Sequence, residues 1–310
     1  MKKVFIIVLG TLLMMDVVAQ EVPQFSQNMF NKLANNPGYS GSRGDISTSV
    51  LHRSQWMGFA DDGTAAISTQ NFSIDAELPF LYGGVGLNIV KDNIAQFSNL
   101  GIQASYAYRT ELGIGQIGMG MSVGMFQSGV DGGEFNPADL NDIAIPANSV
   151  SGSKLDLGAG IYYNTQDVYI GISSAHMTEP VVEWSDGNNL AELPLSRHYF
   201  LIAGYNYELS PLLSLNPSIY LKGVSGVSQL DINTNLIYNK KMWSGVSYRL
   251  DEGLVVLAGM NINEALRFGL SYDVTTSNPN FNNTLEVMLG YSFRIDYDKP
   301  VSKYKNPRFL

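Results

Sequence analysis

Apolar and polar residues alternate along most of this chain. Leu100, Ile102, Ala104, Tyr106 and Tyr108 fall on one side, and Gly101, Gln103, Ser105, Ala107 and Arg109 on the other. Ile117, Met119, Met121, Val123 and Met125 oppose Gly118, Gly120, Ser122 and Gly124. Leu266, Phe268, Leu270, Tyr272 and Val274 oppose Arg267, Gly269, Ser271 and Asp273. Side chains of a strand point to opposite faces in turn, so this period of two predicts two-faced strands. Segments with this pattern lie near 45–58, 65–77, 81–91, 97–110, 114–128, 153–164, 167–176, 197–209, 212–222, 228–239, 242–250, 253–262, 265–275 and 283–295.

These segments number about 14, and an even count suits a closed barrel in an outer membrane. Ten residues at about 3.3 Å each, tilted by roughly 40°, climb about 25 Å, the height of the apolar band of such barrels. Aromatic pairs near strand ends (Tyr106/Tyr108, Tyr205/Tyr207, Tyr291/Phe293) match interface girdles. With a periplasmic N-terminus, the inner connections are tight, and the two longest loops, 129–152 and 177–196, fall outside. A soluble sandwich also alternates, but its exposed face would carry many Lys and Glu. Here the polar face is Gly, Ser, Asn and Gln with single charges. The expected fold is all-β, a transmembrane antiparallel β-barrel of about 14 strands with an N-terminal periplasmic or lumenal plug segment.

Boundaries follow from what flanks the pattern. Lys2 and Lys3, a mostly apolar stretch to Val18, and Val17-Val18-Ala19 form a secretory signal peptide over 1–19, cut before Gln20. Residues 20–44 are neither a good strand nor an amphipathic helix and are assigned to the plug or docking segment. Residues 45–295 form the barrel, and 296–310 a basic periplasmic C-terminal tail. Past the leader, no run of about 18 apolar residues predicts a membrane helix.

Composition narrows the function. The chain is 45% apolar but only 15% charged, which fits a lipid-facing exterior. It has no Cys, so neither a disulfide framework nor a thiolate metal site is available. A net charge of −9 argues against a nucleic-acid partner. Gly113-x-Gly115-x-x-Gly118 spells a dinucleotide fingerprint, but a strand follows it where a helix is required. Its glycines instead make room inside the barrel. His52, His176 and His198 lack metal-ligand spacing, and there is no HExxH motif. The expectation is no enzyme, no cofactor and no metal. Asp131, Glu134, Asp139, Asn141 and Asp142 crowd the longest loop. They fit either a solvated acidic loop or a Ca²⁺ site, although their spacing matches no standard calcium loop. Arg53, Arg109, Arg267, Arg294, Asp75, Glu77, Asp156, Asp231, Asp273 and Glu286 fall mostly on lumen-side positions, where charges must be hydrated or paired and are expected either to line a pore or to clamp a plug.

Several stretches resemble one family: "PQFSQNMFNKLANNPGYSG" (Pro23–Gly41), "HRSQWMGF" (His52–Phe59), "SSAHMTEP" (Ser173–Pro180), "LNPSIYLK" (Leu215–Lys222) and a terminal "NPRFL" (Asn306–Leu310). In this order they are similar to the PorP/SprF family of outer-membrane barrels associated with type IX secretion and gliding. The resemblance implies a bacterial outer-membrane protein with both termini periplasmic. It also implies a partnership with a large secreted adhesin bearing a type B C-terminal domain, in export or anchoring. The alternatives are a core component linking the outer membrane to periplasmic ring proteins of the type IX system, or a passive diffusion channel. A barrel of 14 strands has a backbone diameter of roughly 28 Å, wide enough to leak unless filled. The residues expected to fill it or meet a partner are Phe25, Phe30, Asn36, Pro37 and Tyr39, with Arg53 and Trp56 from the first strand. Asn306, Pro307 and Arg308 are expected to dock on a periplasmic partner.

Overall fold

The computed structural model describes residues 22–57, 67–134, 148–185, 190–276 and 283–293. The predicted signal peptide, residues 135–147 of the acidic loop and the C-terminal tail with Asn306, Pro307 and Arg308 lie outside the described residues.

The first seven strands are β1 (Ile46–Gln55), β2 (Ile67–Leu78), β3 (Gly83–Ile94), β4 (Phe97–Leu112), β5 (Gly115–Asp131), β6 (Ser149–Asn164) and β7 (Val168–Ala175). A hairpin follows, β8 (Val181–Ser185) and β9 (Leu190–Pro194). The chain continues as β10 (His198–Tyr205), β11 (Tyr207–Ser210), β12 (Leu213–Val224), β13 (Val227–Tyr238) and β14 (Met242–Arg249). It ends as β15 (Gly253–Asn261), β16 (Leu266–Thr275) and β17 (Thr284–Phe293). Apart from β8 and β9, every strand pairs antiparallel with its neighbours, β10 with β12 and β1 with β17 included. β11 continues β10 after a break at Asn206. The sheet therefore closes into a 14-strand antiparallel barrel.

The two faces sort as the alternation requires. Met121 is 68% exposed on the exterior, while Gly120 and Ser122 beside it are buried in the interior. Leu270 is exposed and Ser271 buried. Tyr106, Tyr108, Tyr205, Tyr207, Tyr291 and Phe293 are exposed near one end, where β1 begins and β17 ends. We call this the terminal end. At the opposite, loop end, the exterior of β5 and β6 changes from the paired Met125 and Leu155 to the paired Gln127 and Ser153. That change marks the limit of the apolar band.

The 177–196 connection, expected as a long loop, holds the β8–β9 hairpin. The hairpin lies across the loop end, where Val182 and Leu195 are buried against Phe126. Lys154 Nζ reaches Glu183 Oε1 at 2.9 Å. A Cβ at Gly152 would collide with the Glu183 carbonyl, so only glycine lets the hairpin lie so close to β6.

Candidate functional site: the occupied lumen

Residues 22–44 run through the barrel interior. Their chain direction opposes that of β1, because Gly41 meets the terminal ends of β2 and β3 while Val22 meets Lys222 near the loop end of β12. The segment is irregular. It has a turn at 26–30, a 3₁₀ turn at Pro37–Tyr39 capped by Asn36, and positive φ at Gly41 (+72°) and Gly44 (+73°). Irregular backbone at membrane depth requires partners inside the protein, and the wall supplies them in two ways.

On the β13–β17 and β1 side the partners are charges. Glu286, fully buried, accepts two consecutive backbone N–H groups, from Ser26 (2.9 Å) and Gln27 (2.8 Å). Ser26 Oγ donates to Asp273 (2.6 Å) and accepts from Arg53 Nη1 (2.7 Å). Arg53 also reaches Asp273 (2.9 Å) and Glu286 (3.2 Å). Arg249 pairs with Asp231 (3.2 Å) and Asp273 (3.5 Å), and Gln24 and Asn28 donate to Asp231. Buried charges persist in such a place only when paired and hydrogen-bonded.

On the β3–β7 side the partner is backbone. Gly120 and Gly160 are neighbours across β5 and β6, and a Cβ at Gly120 would strike the Pro37 carbonyl. A Cβ at Gly84 would strike Ser40 and Gly41. Here the segment rests directly on the wall. Short polar bonds hold it. Asn36 Nδ2 donates to the Ile161 carbonyl (3.0 Å), Ser173 Oγ donates to the Asn35 carbonyl (2.6 Å), and Ser40 and Ser105 share a hydroxyl bond (2.8 Å). Gly118, part of the apparent dinucleotide fingerprint, sits beside Gly38 in this seat. Between the two sides, Asn31 donates to Asn71, which donates to Asn88.

Five of the seven residues expected at this contact belong to the segment. Phe25 is 3% exposed, and Asn36 and Pro37 are buried. Phe30 is half-buried, with its ring 5.2 Å from Trp243 and the Arg267 guanidinium 5.4 Å away. Tyr39 packs edge-on against Tyr162 at 5.2 Å, on the far wall rather than at the entry to β1. Arg53 bonds Ser26. Trp56 stands at the loop end of β1, where its backbone N–H donates to Thr284 Oγ1 (3.2 Å). Sequence reasoning placed Glu286 and Asp273 among the lumen-side charges that line a pore or clamp a plug, but did not show which groups each would meet. It also missed a buried group near the loop end, where His176 approaches Asp156 (3.0 Å) and the His198 ring (5.7 Å). Among the described residues, no group of three or more His, Cys, Asp or Glu is arranged to hold a metal ion.

Beside the segment, cavities of about 80 and about 70 Å³ remain. A larger vestibule of about 520 Å³ lies at the terminal end.

Solved structures with a similar outline include the Ralstonia pickettii toluene transporter TbuX, 12% identical, TM-score 0.49, covering 84% of this chain and 92% of that one. The translocator domain of the autotransporter NalP from Neisseria meningitidis is 12% identical, TM-score 0.42, covering 81% of this chain and 88% of that one. The KdgM porin is 8% identical, TM-score 0.39, covering 80% of this chain and 100% of that one. Likeness at this level carries nothing about function. No curated protein sequence matches the chain. The closed barrel with its apolar exterior places the protein in an outer membrane. Residues 17–291 match the family described as type IX secretion system membrane protein PorP/SprF, a family of membrane proteins rather than enzymes. The chain therefore belongs to the PorP/SprF family of type IX secretion system membrane proteins.

Proposed function

We propose that this barrel is the outer-membrane partner of a large adhesin with a type B C-terminal domain, which it helps to export or holds at the cell surface. Both barrel termini then face the periplasm, and the loop end with its hairpin faces outward. Family membership supports a transport or anchoring role in the outer membrane. The observation that carries the reading further is the seated segment. Residues 22–44 occupy the lumen through anchors on both walls, which suits a docking barrel better than a diffusion channel.

The test is removal of the barrel from the cell that makes it, followed by proteomics of surface and medium. The adhesin should disappear from the surface while other type IX substrates are still exported. Loss of all type IX export would favour a core-machinery role, and an unchanged surface would refute the proposal. Tagged barrel purified from membranes should carry the adhesin's C-terminal domain with it.

A further inference from the structure

The vestibule at the terminal end is lined by Lys32, Arg43, Lys240 and Arg267, in a chain whose net charge is −9. Three of these cations, Lys32, Arg43 and Arg267, also line the adjoining 80 Å³ cavity. Among the described residues, no carboxylate forms an ion pair with Lys32 or Arg267, while Arg43 pairs with Asp45 at 3.5 Å and donates to Ser292 Oγ at 3.2 Å. Lys32 Nζ instead lies over the Tyr169 ring at 3.3 Å and meets the Tyr162 hydroxyl at 3.4 Å. Arg267 donates to Asn261 Oδ1 (3.1 Å) and lies over the rings of Phe30 and Trp243. Asp167 and Glu208 line the vestibule, and Glu264 the smaller cavity, without pairing with these cations, and Asp75, also in the smaller cavity, is engaged by the Gly41 N–H.

Cations held without a carboxylate partner, as Lys32 and Arg267 are, attract the opposite ion, and guanidinium groups bind oxyanions with charge-assisted hydrogen bonds. We propose that the vestibule is a binding site for an oxyanion, a carboxylate or phosphate group, held between Lys32, Arg43 and Arg267. Because Lys32 and Arg43 belong to the lumenal segment and Arg267 to β16, an anion there would tie the segment to the wall at the terminal end.

The experiment is calorimetric titration of the full mature protein in neutral detergent, at constant ionic strength, with citrate in one arm and inorganic pyrophosphate in the other. One probe or both should bind once per chain. The stronger arm identifies the anion as carboxylate-like or phosphate-like. Arg267→Gln should weaken binding by about tenfold or more, the loss expected when a charge-assisted contact is removed. Lys32→Met keeps the side-chain bulk and should weaken it too, so the test stands even if Arg267→Gln fails to assemble. Lys154→Gln, at the loop end, should leave binding unchanged. Heats indistinguishable from dilution in both arms would overturn the proposal. So would affinity that is the same in Lys32→Met as in the wild type.

Discussion

The two walls of the lumen hold the same peptide by different physics. The β13–β17 and β1 wall holds residues 24–28 with buried charge, through Glu286, Asp273, Asp231, Arg53 and Arg249. The β3–β7 wall holds residues 35–41 by bareness, with glycines against which the backbone rests directly. The charged wall is directional, because a carboxylate that accepts two consecutive N–H groups fixes the register of the segment. The glycine wall is a surface of fit, intolerant of bulk, with one buried charge, Arg109, donating to the Gly38 carbonyl (3.3 Å). The segment therefore has one end set chiefly by buried charge and the other by close fit with short polar bonds.

The largest effect is expected at the charged wall. Glu286→Ala would leave Arg53 with a single carboxylate and two backbone N–H groups without their acceptor. Breaking one partner out of a buried ion pair costs about 3–5 kcal/mol. Limited proteolysis should cut near residues 24–30 in this variant, with the heat-modifiable barrel still closed. Resistance equal to the wild type would mean that Glu286 does not set the register.

At the glycine wall the penalty is steric. Gly120→Val places atoms where the Pro37 carbonyl lies, and overpacking of this kind costs about 1–3 kcal/mol. It should free residues 36–41 to proteases while residues 24–28 stay protected. Cleavage at both ends would show that the two walls act as one cooperative unit.

These walls were not equally legible in the sequence. The strands were, because alternation is local. All 14 barrel strands lie within a few residues of their predicted places, since each needs only its own residues to declare two faces. The lumen facing of Arg53, Asp231, Asp273 and Glu286 followed from the same parity. Their pairing did not. Arg53 meets Glu286 across the seam where β1 closes on β17, and the register of that closure depends on the whole ring. The glycine seat was half legible, since the glycines implied room without showing what fills it. The β8–β9 hairpin was hidden for a different reason. Its strands are only five residues long, too short for a periodic signal. His176 and His198 are 22 positions apart and meet only because β7 and β10 are neighbours.

Smaller changes sharpen the contrast. Phe30→Ala removes a ring that packs on Trp243 of the charged wall, worth about 1 kcal/mol beyond lost burial. The change should appear as altered Trp fluorescence and a slightly lower unfolding midpoint. Ser40→Ala deletes the bond to Ser105, about 1 kcal/mol or less. It should leave protease protection intact at both ends, because the glycine wall holds residues 36–41 by fit rather than by any one hydrogen bond. A Ser40→Ala variant that releases the segment would assign that wall the same dependence on single bonds as the charged one.

The central claim is that residues 22–44 fill the lumen and that the barrel stands without them. Planar-bilayer recording tests it most directly, comparing the mature chain with a chain lacking residues 22–44, both taken from outer membranes at matched levels. The mature chain should be electrically silent. The deleted chain should assemble and show steady conductance through the vacated lumen. Steady porin-like conductance from the intact chain, unchanged by the deletion, would contradict the account.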